Sequence, residues 1–423
     1  MGSCNILKNK ELEFVPPDPK NHFKDIKNIN VLKSIINHLQ KHRLLEIIKN
    51  NKNIQKRLNI CIDDYKEYSE LYSTIEIEVI PFKKDFNKFI NMIKGEEQYY
   101  HIYFNEDNII IKIDHQVKSF KGLFEKIKWN KSIYFKKFYR KNINNMSDMF
   151  KGCFSLETID LSNFKTDNIT NMSNIFQNCK SLHKIDLSNC NTKNVTNTCS
   201  MFEGCSSLKK INLTNFNTDK VTDMSNMFNE CSSLREINLD SFNTQNVINM
   251  NGIFCGCLSL KELHITHFNT NKVTNMSDMF NECSSLEELN LLYFKTPNVI
   301  NMSNMFSGCS SLKELNLFYF ETHNVVDMSN MFNGCSSLNE INISNFDTSK
   351  VVNMNFMFKG CVSLKYLDVS NFNTGNLEYM EGMFYNCSSL RQLKLFYFVT
   401  YKIKNMKNMF KGCSNKLSCR MIK

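Results

Sequence analysis

Along most of this chain the apolar positions fall on one fixed spacing. From Phe150 to Phe410 a phenylalanine stands at every twenty-sixth residue, with no gap or insertion. A cysteine follows three residues later each time, from Cys153 to Cys413, and a threonine recurs from Thr166 to Thr400. The unit reads L-x-x-L-x-L-x-x-F-x-T-x-x-V-x-x-M-x-x-M-F-x-x-C. In "LKELNL" the alternation of Leu315 and Leu317 predicts a leucine-rich-repeat strand with both leucines inward. In "MSNMF" the serine predicts a cap on a short helical turn. Gly308, Gly334 and Gly360 then suit a left-handed stop. One such unit cannot bury its own apolar edge, so successive units must stack and each recurring letter becomes a column.

The columns have separate physical jobs. Leu, Phe, Val and Met predict a continuous core. The threonines predict a side-chain hydrogen-bond ladder at a turn. The cysteines predict a file of small buried thiols. Stacked rungs set neighbouring cysteines roughly 5 Å apart, close enough for scattered inter-rung disulfides. The frame also reaches upstream in worn form. In "VKSFKGLFEKIKWNKSIYFKKFYRKNINNM", Val117, Phe120, Phe124, Phe135 and Phe138 fall on the apolar positions. Terminal repeats are expected to be atypical because one face meets water.

Residues 1–112 do not repeat and read as a small α+β unit. "NVLKSIINHLQ" sets Val31, Leu32, Ile35, Ile36 and Leu39 on one helical face, and the pattern continues through Leu44, Leu45, Ile47, Ile48 and Ile54. "TIEIEVI" alternates as a strand that Pro81 ends. "FNKFINMI" reads as a helix, and "YYHIYF" and "NIIIKI" as strands. The expected domains are therefore 1–112 as an N-terminal cap, 113–413 as the solenoid with a degenerate first rung over 113–145, and 414–423 as a C-terminal tail.

The motif "NMSNMFSGCSSLKELNL" resembles the BspA-like leucine-rich-repeat surface proteins over roughly residues 113–413. That resemblance implies a right-handed solenoid used for adhesion or protein binding, without catalysis. The expected fold class is an α+β cap followed by a right-handed leucine-rich-repeat-type β-solenoid with short helical turns. It should have about eleven rungs of 26 residues and, at roughly 4.8 Å per rung, a length of about 55 Å. Members of that family are commonly exported. Here the first 25 residues lack the apolar core of a signal peptide, which favours an intracellular location, whereas the family points to a cell surface. If the chain crossed a eukaryotic secretory pathway, sequons inside the repeat, such as Asn145, Asn171, Asn275 and Asn301, would carry glycans that oppose stacking, which favours an intracellular location.

Composition changes this picture little. The 423 residues are 42% hydrophobic and 22% charged, with no apolar run long enough to span a bilayer. The net charge of +10 is an N-terminal property: 27 Lys and Arg face 18 Asp and Glu in residues 1–145, but 25 face 24 thereafter. Lys126, Lys128, Lys131, Lys136, Lys137 and Arg140 make a candidate patch for an anionic partner, against the plainer reading of a solvated cap. "MGSC" offers Gly2 and Cys4 for myristate and palmitate, though Ile6 departs from the usual Ser or Thr; only that lipidation would bring a membrane into play.

Binding residues are sought among the edits to the repeat. The two letters before the strand-end Phe are usually small and polar, as in Ser162-Asn163 and Ser344-Asn345. Three rungs carry Leu292-Tyr293, Phe318-Tyr319 and Phe396-Tyr397 instead. These six, with Asn290, Asn316 and Lys394 beside them, are the expected surface for a protein partner. Nucleic acid is not the expected partner, and the sequence leaves the oligomeric state open. No catalytic constellation, metal site or cofactor motif is expected: Cys255 and Cys257 form a lone C-x-C, and the histidines do not cluster with acids or cysteines. Two further readings remain, a cell-surface adhesin and an intracellular adaptor with an F-box-like first segment.

Overall fold

A computed structural model describes residues 26–37, 45, 51–81, 101–105, 107–113, 117–164, 166–396, 399 and 401–422. The expected helix "FNKFINMI", the apolar positions Leu39, Leu44, Ile47 and Ile48, and Gly2, Cys4 and Tyr397 lie outside them, as do the side chains of Ile36 and Phe396. Among the described residues no helix is long and apolar enough to cross a membrane.

Among the described residues three short helices precede the first strand: α1 (Ile29–Asn37), α2 (Lys52–Arg57) and α3 (Ile62–Tyr72). They share a small core of Leu32, Leu45 and Ile54. The helical face drawn from the sequence is only partly buried, because Val31 and Ile35 are exposed. The Asn51 side chain caps α2 by accepting from the Ile54 amide at 3.1 Å. Helix α3, "IDDYKEYSELY", has no clear apolar period and was not expected. Asp63 and Asp64 in its first turn favour it electrostatically.

A five-stranded sheet follows, with β1 (Ile75–Pro81), β2 (His101–Phe104), β3 (Ile109–Ile113), β4 (Asn130–Lys137) and β5 (Thr158–Asp160) in the order β2-β3-β1-β4-β5. "TIEIEVI" and "NIIIKI" are strands, as expected, and β1 pairs antiparallel with both β3 and β4. Strand β4 belongs to the worn first rung and pairs parallel with β5 of the next rung. One sheet therefore turns from the antiparallel cap into the parallel solenoid. Ile75, Ile77, Val79, Ile109, Ile111 and Ile113 are completely buried in the same core as the rungs.

The repeating letters stand in file. Phe124 stacks on Phe150 with ring centroids 5.5 Å apart, and the file continues without a break to Phe410. Phe228, Phe254 and Phe280 follow one another at 5.8 and 5.9 Å with nearly parallel planes. The chain is thus a β-solenoid with one 26-residue unit per turn. The threonine ladder is present: Thr192 Oγ1 donates to the Asn217 carbonyl and Thr218 Oγ1 to the Asn243 carbonyl, both at 2.9 Å, and the thread continues to Thr374. All column thiols are free. Each Sγ donates to the Phe carbonyl one rung back, as Cys283 does to Phe254 at 3.1 Å. This gives a physical reason for cysteine over alanine in the column.

Two local expectations need correction. The "MSNMF" segment is a run of tight turns, and its cap is the Asn or Asp before the methionine: Asn145 Oδ1 accepts from the Ser147 amide at 2.9 Å, and Asn301 from Ser303 at 2.8 Å. Within the run, the amides of Met146, Asp148, Phe150 and Gly152 donate to the next rung, at Asn171, Ser173, Ile175 and Gln177. Those of Met149, Lys151 and Cys153 turn back three residues. Each of these amides is paired, as burial demands. The geometry needs φ > 0 twice per rung, as at Asn304 (55°) and Gly308 (74°).

The second correction concerns the strands. The unbroken parallel ladder runs through the residue before each first methionine, from Ser119 to Asn145 and onward to Asn405. The L-x-x-L-x-L segments pair only in patches: β6 (Lys184–Asp186) with β7 (Lys210–Asn212), β8 (Glu262–Leu263) with β9 (Glu288–Leu289), and β10 (Tyr366–Val369) with β11 (Gln392–Phe396) and β12 (Ser418–Ile422). Leu315 and Leu317 do point inward, as expected.

Candidate functional site

The edited rungs are best read against what their column does elsewhere. At the position before the strand-end Phe, a polar side chain normally staples its rung to the one before. Asn215 Nδ2 donates to the Ser188 carbonyl at 3.0 Å, Ser241 Oγ to Leu213 at 2.8 Å, and Asn371 Nδ2 to Phe346 at 2.8 Å. His267 fills the place with a ring nitrogen 3.1 Å from the Leu239 carbonyl. Tyr293 and Tyr319 occupy the same column, and no such staple from either is found among the described residues. A structural bond has been given up for two exposed aromatic rings.

Those rings form a ridge on adjacent rungs. Tyr293 and Phe318 are each 63% exposed and Tyr319 is 42% exposed. Phe318 and Tyr319 pack edge to face with centroids 5.0 Å apart, so the pair is held as a unit. Leu292 is half-buried at its base. Asn290 and Asn316 have a building role: their side-chain oxygens accept from the amides of Leu292 and Phe318 at 3.0 Å, fixing the turn that raises the ridge. Lys394 lies three rungs beyond Asn316, over the Tyr366 ring and 3.0 Å from the Asp368 carboxylate. Burial opposes ionisation of Asp368, but bonds from Ser370, Lys394 and Tyr366 hold it at about 2. The structure therefore joins Leu292, Tyr293, Phe318 and Tyr319 and sets Lys394 apart from them.

The six residues of the candidate basic patch have different surroundings. Arg140 is completely buried and donates to the Ser73 and Ile113 carbonyls at 2.6 and 2.8 Å, tying the solenoid to the cap sheet. Lys136 and Lys137 reach Glu78 and Glu76 of β1 at 2.8 and 3.2 Å, Lys126 pairs with Glu125, and Lys131 with Glu157. Lys128 sits over the Phe154 ring at 5.7 Å. The Lys136 contact holds the Glu78 carboxyl below its ordinary range. Two of these charges, on Lys136 and Lys137, are answered by acids that the fold brings across from β1.

Two surface features were missed from sequence. One is an exposed β-branched file, Ile248, Ile300 and Val326, with Thr274 between, beside a groove of 620 Å³. The signal was available in the letter after each column valine, which is Thr in most early rungs. The other is a 630 Å³ trough on the patchily paired strand side, floored by Ile159, Ile185, Ile211 and Ile237. It runs along the outer side of several successive rungs, β6 and β7 among them, which no single unit reveals.

Among the described residues no three His, Cys, Asp or Glu side chains gather as metal ligands. Burial pushes the Cys205 and Cys335 thiols up to about 12, and Cys255 to about 11, away from the thiolate a nucleophile needs. A rigid rod of stacked rungs carrying an aromatic ridge defines the class: a repeat-solenoid scaffold. Within that class, the chain belongs to the family described as "Mycoplasma protein of unknown function, DUF285", whose model matches residues 118–237, 231–319 and 311–419. No curated protein and no solved structure matches it.

Proposed function

We propose that this protein is a non-catalytic binding scaffold that captures a macromolecular partner on the ridge of Leu292, Tyr293, Phe318 and Tyr319. The observation that carries the reading is the loss of the inter-rung staple at Tyr293 and Tyr319 in favour of exposed rings. Exposed aromatic clusters on a rigid support act as anchors because they bury much area with little rotamer entropy lost. The likeness of the 26-residue motif to BspA-like leucine-rich-repeat proteins, whose solenoids bind proteins, supports the same reading. The test is affinity capture from native extract with the full chain and a Tyr293→Asn, Phe318→Ser, Tyr319→Asn variant. All three side chains are exposed, and Asn restores the column's staple, so the variant should fold. The expected result is that proteins retained by the unaltered chain are lost from the variant. Equal retention by both would remove the ridge as the site.

A further inference from the structure

Beside the ridge, the strand side carries a file of exposed carboxylates. Glu236, Glu262, Glu288, Glu314 and Glu340 occupy one column on five successive rungs, and all five are exposed. Glu262 and Glu288 are direct partners in the parallel register. Like charges in that relation are mutually destabilising. Arg235, Lys261 and Lys313 stand beside three of them in sequence, yet among the described residues no lysine or arginine comes within ion-pair distance of any of the five; the His264 ring is 4.0 Å from Glu262. Leu292 lies in the turn that follows β9, four residues after Glu288, so at full chain extension the file and the ridge lie within about 13 Å of each other.

We infer that the partner held by this face is an extended cationic segment, rich in lysine or arginine, laid along the rod across successive rungs. This rests on the scaffold reading above and names the partner's chemistry. The occupant follows from charge complementarity: cations at one-rung spacing answer the five carboxylates, and the adjoining rings accept a cation over their faces or an apolar side chain against them. A neutral or acidic segment would leave the file unpaired or worsen it.

The test is fluorescence anisotropy with the full chain and two labelled decapeptides, one alternating lysine and leucine and one alternating glutamate and leucine. The proteins are the unaltered chain, a Glu262→Gln, Glu288→Gln, Glu314→Gln variant, and the ridge variant above, each checked for an unchanged circular dichroism spectrum. The inference predicts that the lysine peptide binds and weakens steeply with salt, and that the glutamine variant binds it about tenfold more weakly, as loss of several exposed ion pairs implies. The glutamate peptide should not bind. Equal binding of the lysine peptide by the glutamine variant, or equal binding of both peptides, overturns the inference. Loss of binding in the ridge variant alone overturns the charge reading and leaves the ridge standing. Loss in the glutamine variant alone supports the charge reading and counts against the ridge.

Discussion

Glu282 holds its backbone at φ +60°, a left-handed conformation that costs an ordinary residue about 1–2 kcal/mol. The same column is Gly308 in the next rung, at φ +74°, where an added Cβ would stand 3.2 Å from the Glu282 Cα. The other left-handed column is mostly Asn or Asp, such as Asn226, Asp278 and Asn330, the types that tolerate that region best. Replacing Glu282 with Gly should therefore stabilise by about 0.5–1 kcal/mol, the relief of strain less the extra freedom of glycine when unfolded. Gly308→Ala should destabilise by about 1–2 kcal/mol. Urea unfolding of the two variants checks both signs. The glycines were legible in sequence as stops. The asparagines were not, because nothing in composition separates Asn used for turn capping from Asn used for stapling. Asn145 caps, Asn215 staples, and only the fold distinguishes them.

At the scale of one repeated element, the cysteine column makes the rod sensitive to alkali. Burial raises the folded-state thiols, with Cys153, Cys205 and Cys335 at about 12 against an ordinary value near 9. Below pH 9 both folded and unfolded chains keep these protons, so the full stability is present. Between about 9 and 12 the unfolded chain releases protons that the folded chain retains, so stability falls as pH rises. Each buried thiol can remove up to about 1.4 kcal/mol per pH unit in that window. Circular dichroism followed from pH 7 to 11 should show a cooperative loss of structure above 9, with no comparable loss between 7 and 8.5. The period, the columns and the threonine ladder of this element were readable from spacing alone. Its hydrogen-bond layout was not. "LKELNL" has the better strand pattern, yet the unbroken ladder runs through the Asn before each methionine, because the tight turns there fix the rung spacing while the leucine segments pair only in places.

For the whole molecule, the cap and rod are one body of packing rather than two beads. The antiparallel strands of the cap share a sheet with β4 and β5, and Arg140 is buried where they meet. The alternation of "TIEIEVI" gave away β1, while α3 left no apolar period to find. The basic run was visible in sequence, but its acidic partners, Glu76 and Glu78, lie more than fifty residues away and only the fold pairs them. The aromatic ridge was legible as an edit to the repeat, whereas the staple it displaced was not. The account as a whole rests on equivalent letters occupying equivalent places in successive rungs. Amide hydrogen exchange on the full chain tests this most directly. Met276, Asp278, Phe280 and Glu282 donate to the next rung, and Met302, Asn304, Phe306 and Gly308 do the same one turn later. Slow exchange recurring at these positions with a 26-residue period is the predicted result. Protection with no such period would contradict it.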